Sequence, residues 1–258
     1  MLILIALVGM SGISFADEVQ SYGLSFVKDK QLVLFSNGKV EFGTLARDAQ
    51  VQGVSFVSGT FLGFYKNQLL KYSELVSLTK VQGYQFESHT QIQYYGERDS
   101  DTAVYQNKVQ IQYFLSLFPH QIEGIPCRAA QTYGFMISNG VYFYESGKLE
   151  SCYLDKSTEI NGIRYAQNQW LRLYESPDLR VCYSTLEQPK EFLGGVLCDG
   201  ASHLKPQYWT IHFYETGSLA WCFLARDFVS EGVSYPLGVI LGFDERGKVT
   251  GIKKDIWQ

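Results

Sequence analysis

Five cysteines are the residues whose type and spacing point most directly to chemistry. Cys127 to Cys152 and Cys198 to Cys222 span nearly the same distance, and each span contains a long insert, at 128–139 and at 199–209. A disulfide across each span would clip one long connection. Closing a loop of about 25 residues contributes roughly 3 kcal/mol in the chain-entropy picture. The expected pairs are Cys127–Cys152 and Cys198–Cys222, with Cys182 left free. Cys152, Cys182 and Cys222 read as equivalent positions on a returning strand, while Cys127 and Cys198 end a closing segment. The competing expectation is five buried thiols acting as small hydrophobes, since connectivity does not follow from sequence.

Other reactive side chains do not converge. His89, His120, His203 and His212 are scattered, and none has a Cys or His at a ligand spacing. No metal and no cofactor are expected. Glu145, Glu175, Glu215 and Glu245 recur at hairpin turns. Paired carboxylates do acid–base work when about 5–9 Å apart across a substrate, but repetition at one structural position marks solvated turn residues. No G-x-S-x-G, H-E-x-x-H or P-loop pattern is present. No catalytic residue is expected. What remains is an aromatic row. Tyr65, Tyr144, Tyr174 and Tyr214 precede the turns, beside Phe64, Phe143, Leu173 and Phe213. Period 2 sends one of these rows inward and the other to the outer sheet face. An exposed Tyr row suits stacking on sugars or gripping an extended peptide. The same rings also suit plain cross-strand packing.

The elements that position these residues repeat. Residues 141–165, VYFYESGKLESCYLDKSTEINGIRY, hold two alternating segments about a tight turn, a polar loop, and a short closing segment. Copies begin near Ser21, Leu62, Val104, Val141, Leu171 and Ile211, with a half copy from Ile240. The copy at about 95–127 is degraded and carries its turn at Gln106-Asn107. Before it, residues 95–102 read as a charged loop. A period of about 30 residues, stretched to roughly 40 by inserts, signals an array whose units bury their apolar faces against neighbours. Periodicity within a unit is close to 2, so strands dominate. Asn37-Gly38 reads as a hairpin turn in which both residues accept positive φ. Gly53, Gly83, Gly124, Gly162, Gly195 and Gly232 recur inside closing segments, where Gly marks a bulge, a sharp turn or close backbone approach. The expected fold is all-β, an elongated antiparallel meander or solenoid of about six β-hairpin units over residues 17–258.

Composition sets the destination. With 46% hydrophobic residues and 39 aromatic ones (17 Phe, 18 Tyr, 4 Trp), the chain has too much apolar surface to stay disordered. A net charge of −4 with interspersed signs argues against nucleic-acid binding. Residues 1–16, MLILIALVGMSGISFA, read as a signal peptide cut before Asp17, although the basic start of such a segment is missing. A buried first strand or helix is the alternative. No later apolar run approaches the roughly 20 residues of a transmembrane helix, so no transmembrane span is expected.

FYESGKLESCYL (143–154) and FYETGSLAWCFL (213–224) resemble the MORN-type repeat in the form found in bacterial YwqK-like proteins. The closing segment lengthens the unit beyond that repeat, and the second Gly-x-Gly of the motif is absent. The resemblance implies a sheet-like stack of hairpins serving as a scaffold or binding surface, usually without catalysis, and carries over no functional residue. The expected function is non-enzymatic binding or scaffolding by a secreted or periplasmic protein, acting on a protein or glycan partner in the cell envelope or extracellular space. The alternatives are an envelope glycan-acting enzyme and an outer-membrane-associated β protein.

Overall fold

Each unit begins with two strands that cannot lie flat on one another. In the second unit, Phe61–Phe64 pairs with Leu70–Glu74, and the register shifts between Gly63 and Phe64, so Gly63 faces Tyr72 while Phe64 faces Leu70. Lys71 is the extra residue of a β-bulge. The chain then makes a second, shorter hairpin, Thr79–Val81 with Tyr84–Phe86. Its two-residue turn is Gln82-Gly83, with φ of 51° and 89°. Positive φ at both positions is the type I′ geometry that matches strand twist, and Gly at the second position makes it cheap.

This is the computed structural model of the chain; it describes residues 17–28, 31–96, 110–133, 136–138, 140–176, 178, 180–192, 194–200 and 210–253. The first hairpins of all units join into one fourteen-stranded antiparallel sheet, from Val33–Leu34 to Val249–Ile252, with strands ordered as they occur in the chain. At about 4.8 Å per strand the sheet is roughly 60 Å across. Its end strands each have one neighbour, so the sheet is open among the described residues. The fold is the expected all-β elongated meander. Eight two-stranded sheets accompany it, of which Gln131–Tyr133 with Met136–Ser138 lies in the first insert. The signal segment, the 106–107 turn and residues 201–209 fall outside the described residues.

Three details differ from expectation. The closing segments are hairpins and not single strands: residues 159–165 are split by Asn161-Gly162 between Thr158–Ile160 and Ile163–Tyr165. The recurrent closing glycines are therefore turn residues. At Asn37-Gly38 only Gly38 has positive φ (77°), so this wider turn is not the primed type. The third copy starts at Gln91–Tyr94, which pairs with both Leu70–Glu74 and Ile111–Leu115. Tyr95 follows directly on that strand, and residues 97–102 of the expected charged loop lie outside the described residues.

The short hairpins cover the inner face of the large sheet, and both layers feed one buried cluster. Backbone bridges join them: Phe26 pairs with Leu45, Cys127 with Leu154, Tyr165 with Leu186, and Cys198 with Leu224. In the first, third, fourth and sixth units a residue at or next to the end of a short hairpin meets the inward fourth residue of a returning strand. In the first unit Phe26 fills the space above Gly43, where a Cβ would stand 3.0 Å from its ring. Phe86 meets Phe114 with ring centroids 4.8 Å apart. At this place the fourth and sixth units carry Cys127–Cys152 and Cys198–Cys222, disulfide-bonded with Cα atoms 5.7 Å apart. These are the two expected pairs. Cys182 is free, and it is not equivalent to Cys152 and Cys222. Ser184 holds their place in the fifth unit, while Cys182 is the bulge residue between Val181 and Tyr183.

Because other units fill this place with a large and a small side chain, the disulfide should be replaceable. Cys127→Ala with Cys152→Ala should destabilise the protein by about 3 kcal/mol, the loop-closure contribution for this separation. Cys127→Phe with Cys152→Ser, which copies the Phe56 and Ser73 positions, should be clearly more stable than the alanine pair. Denaturant midpoints of both variants check this; equal midpoints would count against it.

Candidate binding surface

The bulge decides what the outer face presents. Leu70, Ser73 and Leu75 are buried, and the extra residue Lys71 puts Tyr72 and Glu74 on the opposite side. The same shift occurs in all seven hairpins of the sheet. Cross-strand pairing then lines up one row across the sheet. It runs from Phe42 through Gly63, Tyr72, Gln93, Tyr113 and Tyr142. It continues through Ser151, Arg172, Tyr183, His212 and Trp221. Trp170, Tyr153 and Phe61 flank it one pair away.

The rings touch along much of the row. Phe42 stacks on Phe61 at 6.0 Å and 10°. Tyr113 lies 5.5 Å from Tyr142, Tyr142 5.7 Å from Trp170, and Trp170 4.9 Å from Tyr153. The His212 ring lies 6.3 Å from Tyr183 and 5.6 Å from Trp221. Gly63 serves this packing, because a Cβ there would stand 2.5 Å from the Phe42 ring. Arg172 bridges the two aromatic groups, with its guanidinium 5.8 Å from the Tyr183 ring and 2.9 Å from the Glu150 carboxylate. All these rings stay partly exposed, Tyr142 most at 36%. From Phe42 to Trp221 is ten strand spacings, about 50 Å. Burial pushes the Tyr72 and Tyr142 phenols up and the His212 imidazole down. The charged groups along the strip are Arg172 with its Glu150 partner, Lys71 over the Phe42 ring at 5.1 Å, and Glu74, which accepts from the Tyr72 hydroxyl.

The expected Tyr row is present and longer than expected, because Tyr95 joins it. Each hydroxyl donates to the main-chain carbonyl at the end of the next hairpin's outgoing strand. Tyr65 donates to Tyr94 at 3.0 Å, Tyr95 to Phe143 at 2.6 Å and Tyr144 to Leu173 at 2.7 Å. Tyr174 donates to Phe213 and Tyr214 to Phe243, both at 2.8 Å. Tyr65, Tyr144, Tyr174 and Tyr214 thus tie unit to unit, with rings half-buried. Phe64, Phe143, Leu173 and Phe213 lie in the core.

Cys182 Sγ lies 3.4 Å from His212 Nε2. A reactive pair would need a thiolate beside an imidazolium. Here burial raises the thiol pKa, against the smaller pull of Tyr174 and Arg172, and burial lowers the imidazole pKa. The two groups therefore stay neutral around pH 7. Glu145, Glu175, Glu215 and Glu245 are exposed turn residues. Among the described residues no three His, Cys, Asp or Glu side chains are placed to hold a metal ion.

Compared with known families and curated proteins, the chain matches no family model and no curated sequence.

Two measurements check this account. Tyr144→Phe should lower the unfolding free energy by about 1 kcal/mol, the usual worth of one such hydrogen bond; an unchanged midpoint would mean the hydroxyl carries no load. Cys182 should react with iodoacetamide at pH 7.5 more slowly than an unstructured cysteine peptide, and its rate should still be rising above pH 9. A fast reaction at pH 7 would contradict a half-buried neutral thiol.

Proposed function

We propose that the protein is a secreted or periplasmic, non-enzymatic repeat protein whose outer sheet face binds a partner in the cell envelope or extracellular space. The partner class is protein or glycan, and an extended glycan suits the face best. The observation that carries this reading is the aromatic strip of Phe42, Tyr72, Tyr113, Tyr142, Trp170, Tyr183 and Trp221, partly exposed along about ten strand spacings. Flat aromatic faces with polar edges stack on sugar rings at low entropic cost. Gln93, Arg172 and Glu150 lie within or beside the strip as hydrogen-bonding groups.

The destination has its own support. Two disulfides fit an oxidising compartment, and no helix of the described residues is long and apolar enough to cross a membrane. The likeness of residues 143–154 and 213–224 to the MORN-type repeat agrees with a scaffold or binding surface. The Tyr65, Tyr144, Tyr174 and Tyr214 rings border the strip, and their hydroxyls are already committed to neighbouring units.

The test is retention of soluble linear glycans on the immobilised protein, with Trp170→Ala and Tyr142→Ala variants beside it. Removing one central aromatic anchor should weaken binding about tenfold, as truncation of a buried interface aromatic typically does. Retention unaffected by both variants would remove the strip from the reading. Release of new reducing ends by the wild-type protein would favour the enzyme alternative.

A further inference from the structure

At the edge away from the tight turns, six returning strands each lead through a three-residue bend into the next short hairpin. Four of these bends are polar or charged: Ala46-Arg47-Asp48, Asp155-Lys156-Ser157, Glu187-Gln188-Pro189 and Ala225-Arg226-Asp227. The other two are Val76-Ser77-Leu78 and Leu117-Phe118-Pro119. In three units the last bend residue caps the next corner. Asp48 Oδ1 accepts the Ser58 N–H at 2.7 Å, Ser157 Oγ the Gln167 N–H at 3.2 Å and Asp227 Oδ1 the Leu237 N–H at 2.7 Å. Pro119 and Pro189 hold this place in the third and fifth units. Leu78 holds it in the second, where it can accept nothing and is 60% exposed. Neither a hydrogen bond nor burial within the chain accounts for leucine there.

The two apolar bends lie side by side. Leu75 N–H donates to the Thr90 carbonyl at 3.0 Å and Thr90 Oγ1 to Ser116 Oγ at 3.4 Å, so both bends leave from one hydrogen-bonded seam. Their strands, Leu70–Glu74 and Ile111–Leu115, are two spacings apart, about 10 Å. Val57 extends the patch from the corner before Gly59, where a Cβ would stand 3.7 Å from Val76. Both bends are held in shape, since Thr79 Oγ1 donates to the Ser77 carbonyl at 3.0 Å and Phe118 N–H to Ser116 Oγ at 3.2 Å. Val57, Val76, Leu78, Leu117 and Phe118 are between 37% and 60% exposed. Together they leave on the order of 500 Å² uncovered, the size of patch that marks an interaction site.

We propose that this ridge is the interface of a two-fold dimer, covered by the same ridge of a second copy. Two copies bring about 1,000 Å² of apolar surface together, the level at which a specific protein interface begins. An apolar patch is complementary to itself, as a two-fold contact requires. The ridge holds no charged side chain, and Lys80 and Glu87 at its border carry opposite signs, so like faces meet without a repelling field. The ridge lies on the edge of the first three units, whereas the aromatic strip lies on the outer face. Dimerisation therefore leaves both strips open.

Sedimentation velocity over a range of protein concentrations reads the association, and a reversible monomer–dimer equilibrium is expected. Leu78→Asp copies Asp48 and Asp227, and Leu117→Asp with Phe118→Lys copies Asp155-Lys156. Each should weaken dimerisation by about tenfold or more, while the melting temperature of the dilute monomer stays near wild type. Leu237, 61% exposed, is a leucine of the same edge at the seventh unit. Leu237→Asp should leave the dimer intact, and so should Trp170→Ala, which keeps the ridge distinct from the outer strip. A wild-type protein that is monomeric at every concentration, or dimerisation unchanged in both ridge variants, would overturn the proposal. Monomers that pellet with phosphatidylcholine vesicles, and fail to do so in the ridge variants, would also overturn it, because the ridge would then face lipid.

Discussion

Every hairpin of the large sheet carries one extra residue just inside its turn, and the positions of most other groups follow from that residue. Without it, Leu70 and Tyr72 would share a face, and so would Val40 and Phe42, because strand side chains alternate. With it, Leu70 and Ser73 go to the core and Tyr72 goes to solvent. The bulge also leaves the Leu70 N–H pointing at the second layer, where Gln52 accepts it. A single backbone irregularity therefore builds both the outer aromatic row and the seam between the layers. Because it recurs in all seven hairpins, its consequences recur as rows.

Those rows turn local geometry into cohesion between units. A short hairpin of three-residue strands is at best marginal alone. Here five of them insert a residue at or next to their end, Phe26, Phe86, Cys127, Tyr165 or Cys198, against the large sheet. Each Tyr hydroxyl of the turn-side row then fastens its unit to the next one along. Such an array is held by nearest-neighbour terms, so a unit with an insert is a weak link. The two disulfide-bonded units are those whose connections between short hairpin and returning strand carry the inserts at 128–139 and 199–209. Covalent closure stands where an insert lengthens the connection from short hairpin to sheet.

The sequence pattern conveyed the repeat, the strand content and the two cysteine pairs, because period 2 and matching insert lengths survive without structure. It did not convey the outer strip. Alternation read straight through Leu70-Lys71-Tyr72 puts the ring inside, and no local residue type announces a bulge. The closing segments hide their turns for a related reason. Gln-Gly and Glu-Gly continue an alternating run and so read as strand, although Gln52, Gln82 and Glu123 adopt φ near 50° ahead of a glycine. Distance from the turn groups Cys182 with Cys152 and Cys222, whereas the spacing back from Leu154, Leu186 and Leu224 aligns Cys152 and Cys222 with Ser184. The charged run after it masks Tyr95, which stands 30 residues after Tyr65.

Repetition also explains where function can enter such a fold. A residue that recurs from copy to copy with the same partner is held there by the array, as the hydroxyls of the Tyr row are. A binding surface must therefore come either from a row that the fold leaves partly uncovered or from a copy that departs from its neighbours. The strip from Phe42 to Trp221 is the first kind. It varies in sequence along its length, with Gln93, Ser151 and Arg172 among the rings, so it is not one motif stamped repeatedly. The strip faces solvent with rings that need no further partner to fold, so it is free to meet a ligand without unsettling the array.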